Sequence, residues 1–108
     1  MTIYEKIKDH LKNMVGEIIS LKDIKRELKV KYDIVSSSII LADYCYNRYN
    51  DGIDFYQKRL FEYIDPGSYR YLGENYPYTG KIKHKSKDSK KEIVVGEWKN
   101  GELINFNK

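Results

Sequence analysis

The sequence predicts an α+β fold, with an N-terminal three-helix winged-helix-like unit followed by a C-terminal antiparallel β meander. Three observations predict it. Up to Gly52, apolar side chains recur at helical spacing behind recognisable caps. After Gly52 the pattern shortens into aromatic-rich runs punctuated by turn residues. Helical and strand segments segregate along the chain instead of alternating, which separates α+β from α/β.

The elements follow in order. Thr2-Ile3-Tyr4-Glu5 reads as a capping box. Ile3, Ile7, Leu11 and Met14 then form one apolar stripe, predicting a helix over residues 3–14 that Gly16 ends. Glu17-Ile18-Ile19 is a brief strand. Ser20 caps a second helix that buries Leu21, Ile24 and Leu28 and runs to about Tyr32. The three serines Ser36, Ser37 and Ser38 are candidate caps for a third helix over residues 36–49, stopped at Asn50-Asp51-Gly52. Residues 60–64 and 69–72 are strands joined at Asp65-Pro66-Gly67-Ser68, where proline presets φ and glycine offers positive φ. Residues 73–80 form an aromatic loop. Residues 81–85 and 92–98 are two more strands. Asn100-Gly101 is the best two-residue hairpin turn, leading into a strand over residues 102–106.

The 108 residues suit one domain, with 1–52 as its helical part and 53–108 as its hairpin and meander part. A hydrophobic fraction of 41% beside 33% charged residues suits a folded, soluble chain. The single cysteine, Cys45, excludes an intrachain disulfide and suits a reducing cytoplasm. No apolar run suggests a signal peptide or a membrane span. The eleven tyrosines raise the expectation of a binding surface, because each pairs a large apolar ring with a polar tip.

The charge is local. Residues 81–91 hold six lysines against one aspartate, leaving 14 basic and 15 acidic side chains elsewhere. On a strand, Lys81, Lys83, Lys85 and Lys87 share one face and recur every ~6.6 Å, a spacing comparable to that of phosphates along a nucleic-acid strand. Lys90 and Lys91 extend the patch. The competing reading is a lysine-protected edge strand or a solvated loop. In the winged layout the third helix would offer Asn47 and Arg48 to base edges. The apolar Ile39, Ile40 and Leu41 and the acidic Asp43 argue against a groove reader there. Arg70, Tyr76 and Tyr78 interleave basic and aromatic groups suited to stacking on bases, and equally to a protein interface.

Nothing points to catalysis. His10, His84 and Cys45 have no partner at metal-ligand spacing, and no glycine-rich loop precedes a helix. The expectation is a binding protein with no cofactor and no metal, and not an enzyme.

Four strings occur in order: Ala42-Asp43-Tyr44-Cys45-Tyr46-Asn47-Arg48, Leu60-Phe61-Glu62-Tyr63, the run from Tyr69-Arg70-Tyr71-Leu72 through Tyr76-Pro77-Tyr78-Thr79-Gly80, and Gly96-Glu97-Trp98-Lys99-Asn100-Gly101. Together they resemble a small uncharacterised bacterial and phage domain, winged-helix-like, that occurs alone and beside restriction-type nucleases. That resemblance covers most of residues 3–104. It carries no established activity and implies a nucleic-acid context, regulatory or in phage defence.

The function expected from the sequence is weakly specific binding of nucleic acid, DNA in particular. Lys81, Lys83, Lys85, Lys87, Lys90 and Lys91 would meet phosphates, with Asn47, Arg48, Arg70, Tyr76 and Tyr78 near bases. The alternative is a protein-binding module or inhibitor that docks on an acidic or nucleic-acid-processing partner. A homodimer through the third helix is compatible with either.

Overall fold

The structure is a computed structural model that describes residues 1–85 and 91–106. Helix α1 (Ile3–Leu11) starts at the expected capping box, with Glu5 N donating to Thr2 Oγ1 at 3.1 Å and Thr2 N to Glu5 Oε1 at 3.0 Å. It ends earlier than the apolar stripe implies. Met14 N turns back to Leu11 O at 2.8 Å, and Gly16 adopts φ 92°. Strand β1 (Ile18–Ser20) leads into helix α2 (Leu21–Tyr32), whose cap is Ser20 and whose left-handed end is Asp33. These helices bury Ile7, Leu11, Ile24 and Leu28.

The predicted third helix is absent. Residues 36–49 instead form two 3₁₀ turns, Ser36–Ser38 and Leu41–Tyr44, and then strand β2 (Arg48–Tyr49). Serine side chains compete for backbone partners, and β-branched Ile39 and Ile40 add little helical preference. The stronger reason is where side chains must go. Cys45 is buried in the main core and its neighbour Tyr46 in a second cluster with Leu72 and Tyr78. Consecutive residues that face opposite ways need extended backbone, which a helix cannot supply.

The remaining strands are β3 (Phe61–Asp65), β4 (Ser68–Tyr71), β5 (Gly80–Lys85), β6 (Glu92–Lys99) and β7 (Glu102–Asn105). They form two sheets, ordered β1-β4-β3 and β2-β5-β6-β7. The β3–β4 turn closes as an Asx turn, Gly67 N donating to Asp65 Oδ1 at 2.9 Å, and needs no positive φ at Gly67. Asn100 and Gly101 both take positive φ, 48° and 85°, as a tight two-residue hairpin requires.

This architecture corrects the expected α+β layout of an N-terminal three-helix winged-helix-like unit ahead of a meander. Strands are spread along the chain: β1 and β2 lie in the part expected to be helical, and β1 completes the sheet of the β3–β4 hairpin. The cause is residues 44–49, which stitch the two sheets together. Leu60 N donates to Tyr44 O and Tyr46 N to Phe61 O, both at 2.7 Å, on one side. On the other, β2 runs parallel to β5 with Arg48 opposite Lys83 and Tyr49 opposite His84. The seam gives those backbone groups partners that lie far away in sequence.

Candidate nucleic-acid interface

The seam places five of the sequence-predicted residues around one polar concavity of about 280 Å³: Asn47, Arg48, Tyr78, Lys81 and Lys83 line it, with Tyr63 and Ile64 from β3. Strand β5 alternates as expected, with Ile82 fully buried and Lys81, Lys83 and Lys85 exposed. It is an interior strand, held between β2 and β6. Edge protection therefore does not account for Lys83, where β2 pairs with the strand.

Each remaining group has a geometric role. Asn47 behaves as an added strand residue: its Nδ2 donates to Tyr63 O at 3.0 Å and its Oδ1 accepts from Tyr63 N at 2.8 Å. Those bonds occupy the amide fork that adenine recognition needs, so Asn47 builds the wall of the concavity. The Arg48 guanidinium lies over the Tyr63 ring, 4.1 Å from its centroid, and pairs with Glu92. This leaves Lys81 and Lys83 as the cations at the concavity that form no ion pair among the described residues.

Tyr78 is mostly buried. Its ring stacks on Tyr46 with centroids 5.2 Å apart, and its hydroxyl donates to Glu62 Oε2 at 2.9 Å. Burial and that carboxylate push the hydroxyl well above the ordinary tyrosine range. Only part of Tyr78 therefore meets the concavity.

The other predicted residues lie elsewhere. Arg70, on β4, donates to Gly16 O at 2.9 Å and sits 3.7 Å from Glu62, pinning the residues before β1. Tyr76 lines a separate cavity, with Tyr46, Arg59 and Trp98. Lys85 ends β5 opposite Glu92, and Lys91 is exposed just before β6. Lys87 and Lys90 lie outside the described residues. With no third helix, Asn47 and Arg48 have no helix from which to enter a groove.

Sequence reasoning missed Tyr63 and Arg59. Strand alternation from Phe61 was a usable signal for Tyr63, since residues two apart share a face. Arg59 had no signal, because nothing local distinguishes a basic residue that flanks a strand from one that is buried. It is 2% exposed, and burial lowers its pKa.

Among the described residues no group of His, Cys, Asp and Glu is arranged to hold a metal ion, and no helix is long and apolar enough to cross a membrane.

The comparisons with known proteins agree with the resemblance to an uncharacterised family. The chain is 58% identical over 101 residues to the uncharacterized protein YnaC of Bacillus subtilis (strain 168), which covers 94% of this chain and 38% of YnaC. It thus spans well under half the length of that curated relative. No solved structure matches. The family model of a domain of unknown function, DUF7225, matches residues 2–105, nearly the whole chain, and the protein therefore belongs to the DUF7225 family, which has no established activity.

Proposed function

We propose that this domain binds the sugar–phosphate backbone of nucleic acid, DNA in particular, with weak sequence preference, through the concavity at the seam. One observation carries the reading. Lys81, Lys83 and Arg48 arrive from two strands, and Tyr63 from the other sheet, at a single polar hollow. Lysines two apart on a strand match a backbone of repeating charge, and a guanidinium held over a tyrosine ring is pre-organised for a phosphate oxygen. Glu92 neutralises part of Arg48 in the unbound protein, which favours modest affinity. A cytoplasmic setting fits this reading and the buried thiol of Cys45.

The test is fluorescence anisotropy with labelled random-sequence duplex and single-stranded DNA across a salt series. Three neutralised phosphates give a slope of log K against log salt of about −3 on duplex. The double variant Lys81→Ser, Lys83→Ser should reduce that slope to about −1. Absence of binding at low salt, where exposed charges act most strongly, would reject the reading and favour the rival one, an acidic protein partner at the same lysines.

A further inference from the structure

Arg59 is the one charged side chain buried in the core among the described residues. Its Nη1 donates to Gln57 O at 2.7 Å and its Nη2 to Phe55 O at 2.9 Å. Its Nε has no acceptor. Two of its five N–H groups are thus bonded, both to neutral carbonyls. No ion pair to a carboxylate is formed, although charged groups are normally buried only when paired. Asp54 acts on it only at longer range.

This unmatched cation lines a cavity of about 300 Å³. Part of the wall is aromatic: Trp98 stands edge-on to Tyr46 at 5.2 Å, and Tyr76 meets the same ring at 6.4 Å. Asn75 and Gln57 add amides, and Lys58 at the rim is already paired with Glu74. A pocket that sets the rings of Tyr46, Tyr56, Tyr76 and Trp98 around one buried charge suits a small ligand that is flat and oppositely charged. A carboxylate brings one negative charge for one positive charge. It also brings two coplanar oxygens, which suit the in-plane N–H groups of a guanidinium. An inorganic oxyanion would leave the rings uncovered, and a doubly charged phosphate ester would need a second unpaired cation at that depth.

We propose that this cavity is a binding site for a small aromatic carboxylate, its carboxylate on Arg59 and its ring against Tyr76 and Trp98. The site lies apart from the basic concavity, so the inference does not depend on nucleic-acid binding.

The test is an NMR titration of the isotope-labelled protein. Trp98 is the only tryptophan, so its indole N–H gives one unambiguous resonance beside the Arg59 Nε–H. The probes are benzoate and 2-naphthoate, with benzamide as the uncharged ring, acetate as the ringless anion and adenosine monophosphate as the phosphate ester. Both aromatic carboxylates should shift the two resonances saturably, and benzamide and acetate should bind at least about tenfold more weakly, as loss of a charged hydrogen bond or of the ring contact implies. Arg59→Met should abolish the preference for benzoate over benzamide. Tyr76→Ala, at the mouth of the cavity, should weaken benzoate while leaving the fold intact, and it decides the matter if Arg59→Met does not fold. The proposal is overturned if benzoate and 2-naphthoate leave both resonances unmoved, if adenosine monophosphate binds in their place, or if benzoate binds both variants as it binds the parent protein.

Discussion

Glu74 shows how single side chains hold the first helix to the rest of the molecule. Its carboxylate accepts from the Tyr4 hydroxyl and from Lys8 and Lys58 at 3.1 and 3.3 Å. The Tyr4 bond, reinforced by the two lysines, pulls its pKa from the ordinary 4.5 down to about 2. A carboxylate depressed in the folded state contributes stability that is whole above about pH 4.5 and is lost as pH falls through about 2. Between pH 5 and pH 2 the parent protein should therefore lose about 1 kcal/mol more than Glu74→Gln, a figure held down by solvent screening of the lysines. Urea midpoints at the two pH values measure it, and parallel losses in the two proteins would assign Glu74 no such role. Cys45 makes the opposite point. It is fully buried, and burial pushes its thiol well above the ordinary range. Ellman's reagent at pH 8 should leave it untouched in the native protein and modify one equivalent once urea unfolds the chain.

At the scale of elements, β6 and the seam are the demanding parts. Gly96 is buried in β6, where an added Cβ would stand 2.5 Å from Ile104 O and 2.8 Å from Phe55 Cζ. The first is backbone of the adjoining strand and cannot swing aside. Gly96→Ala should cost about 1–3 kcal/mol by overpacking, seen as a lower urea midpoint, and an unchanged midpoint would mean that β6 and β7 separate easily. Asn47 clasps both backbone groups of Tyr63. Asn47→Ala removes two partly buried hydrogen bonds and should cost about 2 kcal/mol. Asn47→Asp keeps the acceptor and should fall between the two. Equal losses for Ala and Asp would show that the donor half alone matters.

For the molecule as a whole, residues 44–49 belong to both sheets, and so the two should not unfold separately. Trp98 reports on the small cluster, because its indole donates to Tyr46 O at 2.8 Å within the seam. Circular dichroism at helical wavelengths reports on α1 and α2, packed on the other sheet. The two signals should share one urea midpoint, and Asn47→Ala should move both together. Separate midpoints would mean that the seam couples the sheets weakly.

The legible parts of this protein were those whose causes are local. Thr2 and Ser20 cap helices because hydroxyls accept from backbone N–H groups within three residues. Asn100-Gly101 turns because both positions tolerate positive φ. Lysine alternation on β5 followed from the two-residue period alone. The site was half legible for the same reason. The sequence marked Lys81 and Lys83 as a shared face and singled out Asn47 and Arg48, but it assigned the last two to a helix that does not form.

The sequence by itself determined both helices, the β3–β4 and β6–β7 turns and the basic face of β5, since each depends on contacts within a few residues. Only the tertiary structure decided that residues 36–49 form two 3₁₀ turns and a strand in place of a helix, that Lys83 meets Arg48 and that Arg59 is buried. Those outcomes depend on partners far away along the chain. Cys45 and Tyr46 must fill two different cores, and Phe61 and Lys83 must take up the backbone between them. No local preference encodes which distant strand will complete a sheet, and here that choice overrode the local pattern that looked like a helix.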